Sequence, residues 1–232
     1  MPNVKSRDVS HTVNNSHMIT NRSKIKFTLT ILFSILLLST NVSGKAAAAK
    51  RVVIYGDSLS AAFGMDLEQG WATLLAESLA PNHTVINASI SGDTSAAGLA
   101  RLPLTLAEFK PDVLILELGA NDGLRGLPID SMKQNLENMI KLGQDSGAKV
   151  ALVGISLPAS YGPRYIDQFR KTYVDLAEQY NLPFIDFYRE EFFLKPGYIQ
   201  EDGLHPTAIT QPLVRDIVIE FLNENSLLSD AE

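Results

Sequence analysis

The chain has 232 residues, no cysteine, four histidines and a formal net charge of −6. That length suits one domain with a tail, and 45% hydrophobic with 20% charged residues is the composition of a folded globular protein. The missing thiols exclude a disulfide framework, a thiolate zinc site, an iron–sulfur cluster and a lipidated N-terminal cysteine. The acidic balance argues against a nucleic-acid partner, which would meet a basic face.

The first 49 residues read as a separate segment. Lys24 and Lys26 precede an apolar run over residues 27–38, and small residues follow to Ala49. Charge, apolar core and small residues in that order are the signature of a secretory signal peptide. Cleavage is expected between Gly44 and Ala49, with Met18 as an alternative start. The apolar run is too short to span a bilayer, for which about 20 residues are needed. A core helix and an uncleaved anchor are the competing interpretations. Without this segment the chain keeps 14 basic and 25 acidic residues, a net charge of −11, which repels DNA and anionic lipid. Two histidines then remain, His83 and His205.

From Arg51 onward short apolar runs alternate with amphipathic ones. Val52–Tyr55 is a buried strand pattern that ends at Gly56-Asp57-Ser58. Trp71, Leu74, Leu75 and Leu79 fall at helical spacing and stop at Pro81-Asn82. His83, beside them, reads as a solvated turn residue. Residues 84–87 form a short strand, and a small-residue loop from Ser89 to Ser95 follows. Leu99, Leu102 and Leu106 mark a helix. Residues 113–118 give the strongest strand signal, closing at Gly119-Ala120-Asn121-Asp122. A helix follows from about Asp130 to Ser146, then a strand over 149–155. Ile166, Phe169, Tyr173, Leu176 and Tyr180 mark the next helix, and 183–187 a brief fifth strand. An aromatic-rich loop leads to Asp202-Gly203-Leu204-His205-Pro206, and a helix carrying Leu213, Ile217, Val218 and Phe221 closes the chain. Apolar strands alternating with helices imply an α/β fold, a parallel sheet covered on both faces. Ligands in such folds sit beyond the carboxyl ends of the strands.

The loops at those ends carry the candidate chemistry. Gly56-Asp57-Ser58 places a serine at a strand end, where the glycine would allow a tight bend and a following helix would offer N–H groups to an anion. A serine hydroxyl needs a base to become a nucleophile, and alone this pattern fits a helix cap better. Asp202, three residues before His205, could fix one imidazole nitrogen while the other faces a substrate. Equally, both could simply cap a turn and the last helix. Gly92 offers an unobstructed amide and Asn121 a side-chain NH₂, the donors an oxyanion needs. Singly these are ordinary loop residues. Jointly, a nucleophile, two donors and a base pair stand in chain order at one edge.

Gly56-Asp57-Ser58-Leu59-Ser60, Ser91-Gly92-Asp93-Thr94-Ser95, Gly119-Ala120-Asn121-Asp122 and Asp202-Gly203-Leu204-His205-Pro206 resemble the four blocks of the SGNH/GDSL hydrolase superfamily. The similarity covers about residues 51–222 and is nearest a bacterial branch of thioesterases, lysophospholipases and arylesterases. It implies a flavodoxin-like three-layer α/β/α sandwich over residues 50–232, with a five-stranded sheet and periplasmic export. By the same resemblance Ser58 is the nucleophile, Asp202 and His205 complete its triad, and Ser58, Gly92 and Asn121 form the oxyanion hole. Acyl thioesters, lysophospholipids and aryl esters would be the substrates. No cofactor or metal is called for, and a monomer is expected.

Beyond the four blocks, Leu124, Leu127, Leu157 and Leu204 are candidates to line an acyl chain, although Leu124 and Leu127 could instead pack the next helix. Two other functions remain open at this level. Asp57, Asp93, Asp122 and Asp202 could converge on Mg²⁺ in a phosphohydrolase, although the loops hold little basic charge besides Arg125. A non-catalytic acyl- or glycan-binding protein would not need serine, histidine and aspartate together.

Overall fold

The structure is a computed structural model that describes residues 48–187 and 195–229. The leader segment and the first part of the aromatic-rich loop lie outside the described residues. Five strands, β1 (Arg51–Gly56), β2 (Thr84–Asn87), β3 (Val113–Glu117), β4 (Lys149–Gly154) and β5 (Phe184–Asp186), form one sheet in the order β2-β1-β3-β4-β5. Every pairing is parallel. The helices between and after them are α1 (Trp71–Leu79), α2 (Ser95–Phe109), α3 (Ala120–Leu124), α4 (Ile129–Asp145), α5 (Pro163–Tyr180) and α6 (Gln211–Glu224).

Side chains alternate across a strand, so an all-apolar strand must find cover on both faces. Val53, Tyr55, Leu114, Leu116, Val150 and Leu152 point to one face, where Leu102, Leu136, Met139, Phe169 and Tyr173 from α2, α4 and α5 bury them. Val52, Ile54, Val113, Ile115, Ala151 and Val153 point to the other, against Trp71, Leu75, Val218 and Leu222 from α1 and α6. This is the three-layer sandwich expected. The chain passes from β1 outward to β2, then returns across β1 to β3. That reversal opens a crevice at the carboxyl ends of β1 and β3, the place where such sheets bind ligands.

Local structure departs from expectation at three points, two of them at the site. No α-helix follows Ser58: Asp57 O accepts the Ser60 and Ala61 N–H groups at 3.3 and 3.0 Å in a single turn, and Ala62 takes a positive φ of 56°. Gly119-Ala120-Asn121-Asp122 is not a loop but the entrance to the short helix α3, with Gly119 at φ 119° as the residue before it. His83 is half-buried, and its Nδ1 accepts the Lys50 N–H at 3.1 Å. The turn after β1 is also anchored at a distance, because the Trp71 indole N–H donates to Leu59 O at 3.1 Å.

Candidate active site

Ser58 is half-buried at the mouth of the β1–β3 crevice, with its Oγ 2.8 Å from Nε2 of His205. Nδ1 of the same ring lies 2.6 Å from Oδ2 of Asp202. A carboxylate only accepts, so Nδ1 carries the proton and Nε2 is left to accept the serine O–H. The other Asp202 oxygen accepts the N–H groups of Leu204 and His205 at 2.9 and 3.0 Å. That turn makes the three-residue spacing of Asp202 and His205 work, since one carboxylate grips both the backbone and the ring. Burial acts against the Asp202 charge, but the His205 ring and the two backbone N–H groups outweigh it and hold the carboxyl below its usual range. The pair sits near solvent, with the His205 side chain 15% and the Asp202 side chain 35% exposed.

Sequence reasoning missed Phe63, on the turn after β1, and Gln200, on the loop of Asp202 and His205. The Phe63 ring packs on the imidazole, centroids 4.4 Å apart. Gln200 donates from Nε2 to Phe63 O and Pro206 O at 2.9 and 3.0 Å, stitching the two loops that hold the histidine.

The candidate donors gather on the opposite side. Gly92 adopts φ 86°, a backbone state that favours glycine. Among the described residues, neither its N–H nor that of Ser58 donates to a protein acceptor. Asn121 opens α3 and donates from Nδ2 to Asp57 Oδ2 at 3.1 Å. The α2 and α3 entrances are tied together by Asp122, whose carboxylate accepts the Ser95 N–H at 2.7 Å and its hydroxyl at 2.6 Å. Arg101 fastens the Gly92 loop from outside, reaching Asp93 at 2.6 Å, Ala88 O at 2.7 Å and Gly56 O at 3.3 Å.

Beneath the serine lies a pair of carboxyls, Asp57 and Glu117. Glu117, at the end of β3, is fully buried, and its Oε2 accepts the Asp57 N–H at 3.2 Å and the Ser60 hydroxyl at 2.8 Å. Among the described residues its Oε1 has no partner. Gly56 is required here for a different reason from the bend anticipated: a Cβ there would overlap the Glu117 carboxyl. Burial above all, then the Asp57 charge, pushes Glu117 well above its ordinary range. Burial also pushes Asp57 up, to about 6, against the pull of the Leu59 N–H, the Asn121 amide and His205. Burial and mutual repulsion therefore favour a proton on Glu117, while Asp57 faces the Leu59 N–H, the Asn121 amide and His205, which favour its charge.

The four aspartates once open to a Mg²⁺ role are each engaged elsewhere: Asp57 by Leu59 and Asn121, Asp93 by Arg101, Asp122 by Ser95, Asp202 by His205. Among the described residues no three metal-ligating side chains converge. The candidate acyl-lining leucines separate in environment. Leu127 is 40% exposed, Leu124 and Leu204 are half-buried, and Leu157 is core, packed with Phe169 against Gly123. Tyr161 and Tyr165 tie the loop down by donating to Leu124 O and Gly123 O at 2.8 and 3.2 Å.

A parallel sandwich with a serine, an imidazole and a carboxylate in hydrogen-bonded series at its switch point is an arrangement capable of acyl-transfer chemistry. Residues 54–211 match the family model described as GDSL-like Lipase/Acylhydrolase, and the chain belongs to that family. It is 48% identical to the Esterase TesA of Pseudomonas aeruginosa over 72% of this chain and 84% of that protein. It is 42% identical to Thioesterase 1/protease 1/lysophospholipase L1 of Escherichia coli over 81% of this chain and 88% of that one. The crystal structure of the psychrotrophic esterase EstA from Pseudoalteromonas sp., inhibited by monoethylphosphonate, superposes with a TM-score of 0.73 at 38% identity, covering 76% of this chain and 98% of its own.

Proposed function

We propose that this chain is a serine ester and thioester hydrolase, exported to the periplasm, that forms an acyl-enzyme on Ser58. The observation that carries it is the unbroken series Ser58 Oγ–His205–Asp202, with contacts of 2.8 and 2.6 Å. Neutral His205 accepts the Ser58 proton at Nε2 as Oγ attacks the carbonyl carbon, and Asp202 stabilises the imidazolium. The oxyanion forms against the Ser58 and Gly92 N–H groups and the Asn121 NH₂, donors most effective when fixed before charge develops. Imidazolium then protonates the leaving alkoxide or thiolate as its bond to carbon breaks. Water repeats the sequence with His205 as base, releasing the acid.

The names of the relatives point to esters, acyl thioesters and lysophospholipids as substrates, which share this tetrahedral intermediate and differ in the groups around it. The leader composition of the first 49 residues supports export. Among the described residues no helix is long and apolar enough to cross a membrane.

Replacing Ser58 with Ala is expected to abolish labelling by a fluorophosphonate and to lower kcat by roughly 10⁴- to 10⁶-fold. Activity within tenfold of wild type would refute the nucleophile. For the acyl side, the exposed Leu127 lies on the loop that follows the Asn121 helix, and each buried methylene contributes about 0.8 kcal/mol. Octanoyl esters should therefore outpace acetyl esters in kcat/KM, with Leu127→Ala flattening that slope while sparing the acetyl rate. A uniform loss at every chain length would show that Leu127 does not contact the acyl chain.

A further inference from the structure

The Asn121 side chain is held at both ends. Its Nδ2 donates to Asp57 Oδ2 at 3.1 Å, and its Oδ1 accepts from the Arg125 guanidinium at 3.3 Å. The same guanidinium nitrogen donates to Gly92 O at 2.9 Å. We propose that Asp57 and Arg125 are positioning residues of the oxyanion site: from opposite ends they fix the Asn121 amide in one orientation, so that one N–H of its NH₂ remains for the substrate. The proposal rests on Asn121 acting as an oxyanion donor.

An asparagine amide is nearly symmetric in shape, so shape alone does not choose between its two flipped orientations. Here the neighbours choose. A carboxylate has no proton to give, and a guanidinium has no lone pair to offer. Flipping the amide would set Oδ1 against Asp57 and NH₂ against Arg125, replacing two attractive contacts with two repulsive ones. The Arg125 charge at Oδ1 also polarises the amide and strengthens its remaining N–H as a donor. Asp57 is itself rigid, because Oδ1 accepts the Leu59 N–H at 3.1 Å and its backbone N–H is held by Glu117.

Arg125 adds a second constraint. By touching both Gly92 O and Asn121 Oδ1 it couples the loop after β2 to the helix after β3, and so sets the spacing of two donors that different elements supply. Among the described residues a Cβ added at Gly92 would meet only this guanidinium within 4 Å, with Nη2 at 3.8 Å.

The test is a pair of double-mutant cycles. Asp57→Asn and Arg125→Met are each measured in the wild-type and Asn121→Ala backgrounds, with fluorophosphonate labelling as a separate readout. Asp57→Asn sets an NH₂ against the Asn121 NH₂, or else gives up the Leu59 contact. Its kcat is expected to fall about 10- to 100-fold with KM within twofold of wild type, as loss of one oriented donor requires. Arg125→Met, at an exposed position, should lower kcat about three- to tenfold, and Arg125→Lys, with its charge but no fork, should recover part of that. In the Asn121→Ala background both losses should shrink below twofold, since residues acting through one group are not additive.

Losses that persist in full beside Asn121→Ala, or that fall on KM alone, would overturn the proposal. Should Asp57→Asn fail to fold, the Arg125 cycle decides by the same criterion. Failure of wild-type Ser58 to label would instead count against the serine hydrolase itself, which keeps the two failures apart.

Discussion

Two pairs flank Ser58, a carboxylate with an imidazole and a carboxyl with a carboxyl, and they solve opposite problems. On the open side Asp202 meets His205 close to water, where a charge is easily kept, and three hydrogen bonds hold the carboxyl below its usual range. Underneath, Asp57 and Glu117 are both fully buried. Two charges there would repel in a medium that solvates neither, so one carboxyl keeps its proton. The wet pair supplies charge to a reaction, whereas the dry pair supplies position. Glu117 fixes the backbone of Asp57 and the hydroxyl of Ser60, and Asp57 fixes Asn121.

The sharpest way to break this contrast is to neutralise the wet carboxylate. Asp202→Asn keeps the side-chain oxygen that accepts the Leu204 and His205 N–H groups. Its NH₂ would then face Nδ1, forcing the proton onto Nε2, the nitrogen that must accept from Ser58. A buried triad loses about 10⁴-fold in kcat by that change. The exposure of Asp202 lets water compete for the ring, so a loss between about 10² and 10⁴ is expected here. Because the position is near solvent, Tm should stay within about 2 °C of wild type. A large fall in Tm with little change in kcat would reverse the roles assigned to the two pairs.

The sequence makes one of these pairs legible and hides the other, for a physical reason. Asp202 and His205 are three residues apart, and a local turn can bring them together. The strands were equally legible, because Val52–Tyr55 and the run from Val113 are apolar on both faces and only a covered parallel sheet accepts that. Asp57 and Glu117 meet only because β1 and β3 are neighbours, with Gly56 paired in register with Glu117. Strand order is a long-range property that no local spacing encodes. One signal was available: a glutamate inside the strongest strand signal, residues 113–118, is costly unless neutral or partnered. The contacts of Arg101 with Ala88 and Gly56, and of Arg125 with Gly92, were hidden in the same way, since they join segments distant in the sequence. The entrance to α3 was read as a loop because Gly, Asn and Asp are turn residues as well as helix starters.

The dry pair is tested by two substitutions at Glu117. Glu117→Ala would strip acceptors from the Asp57 N–H and the Ser60 hydroxyl and leave a void, costing about 2–4 kcal/mol. In a domain of this size that corresponds to a Tm lower by roughly 5–15 °C. Glu117→Gln is the finer test, because a glutamine has the shape of the protonated acid and its oxygen can accept from both donors.

The sign of the pH effect follows from the raised Glu117 value. An acid whose folded value lies above its unfolded 4.5 binds its proton more tightly in the native state. Its contribution is fully present below about 4.5 and is lost as pH rises through the folded value. Asp57 behaves likewise between 3.8 and about 6, so its own contribution is already lost above pH 6. While native Glu117 stays protonated and unfolded Glu117 is ionised, wild-type stability falls by about 1.4 kcal/mol per pH unit from this group. Glutamine has no proton to lose. Urea unfolding at pH 6, 7 and 8 should therefore show wild type losing stability relative to Glu117→Gln by up to that slope, with the variant's kcat within a few-fold of wild type. Parallel curves for the two proteins would mean that Glu117 is ionised in the folded state, and that two bare carboxylates coexist beneath Ser58.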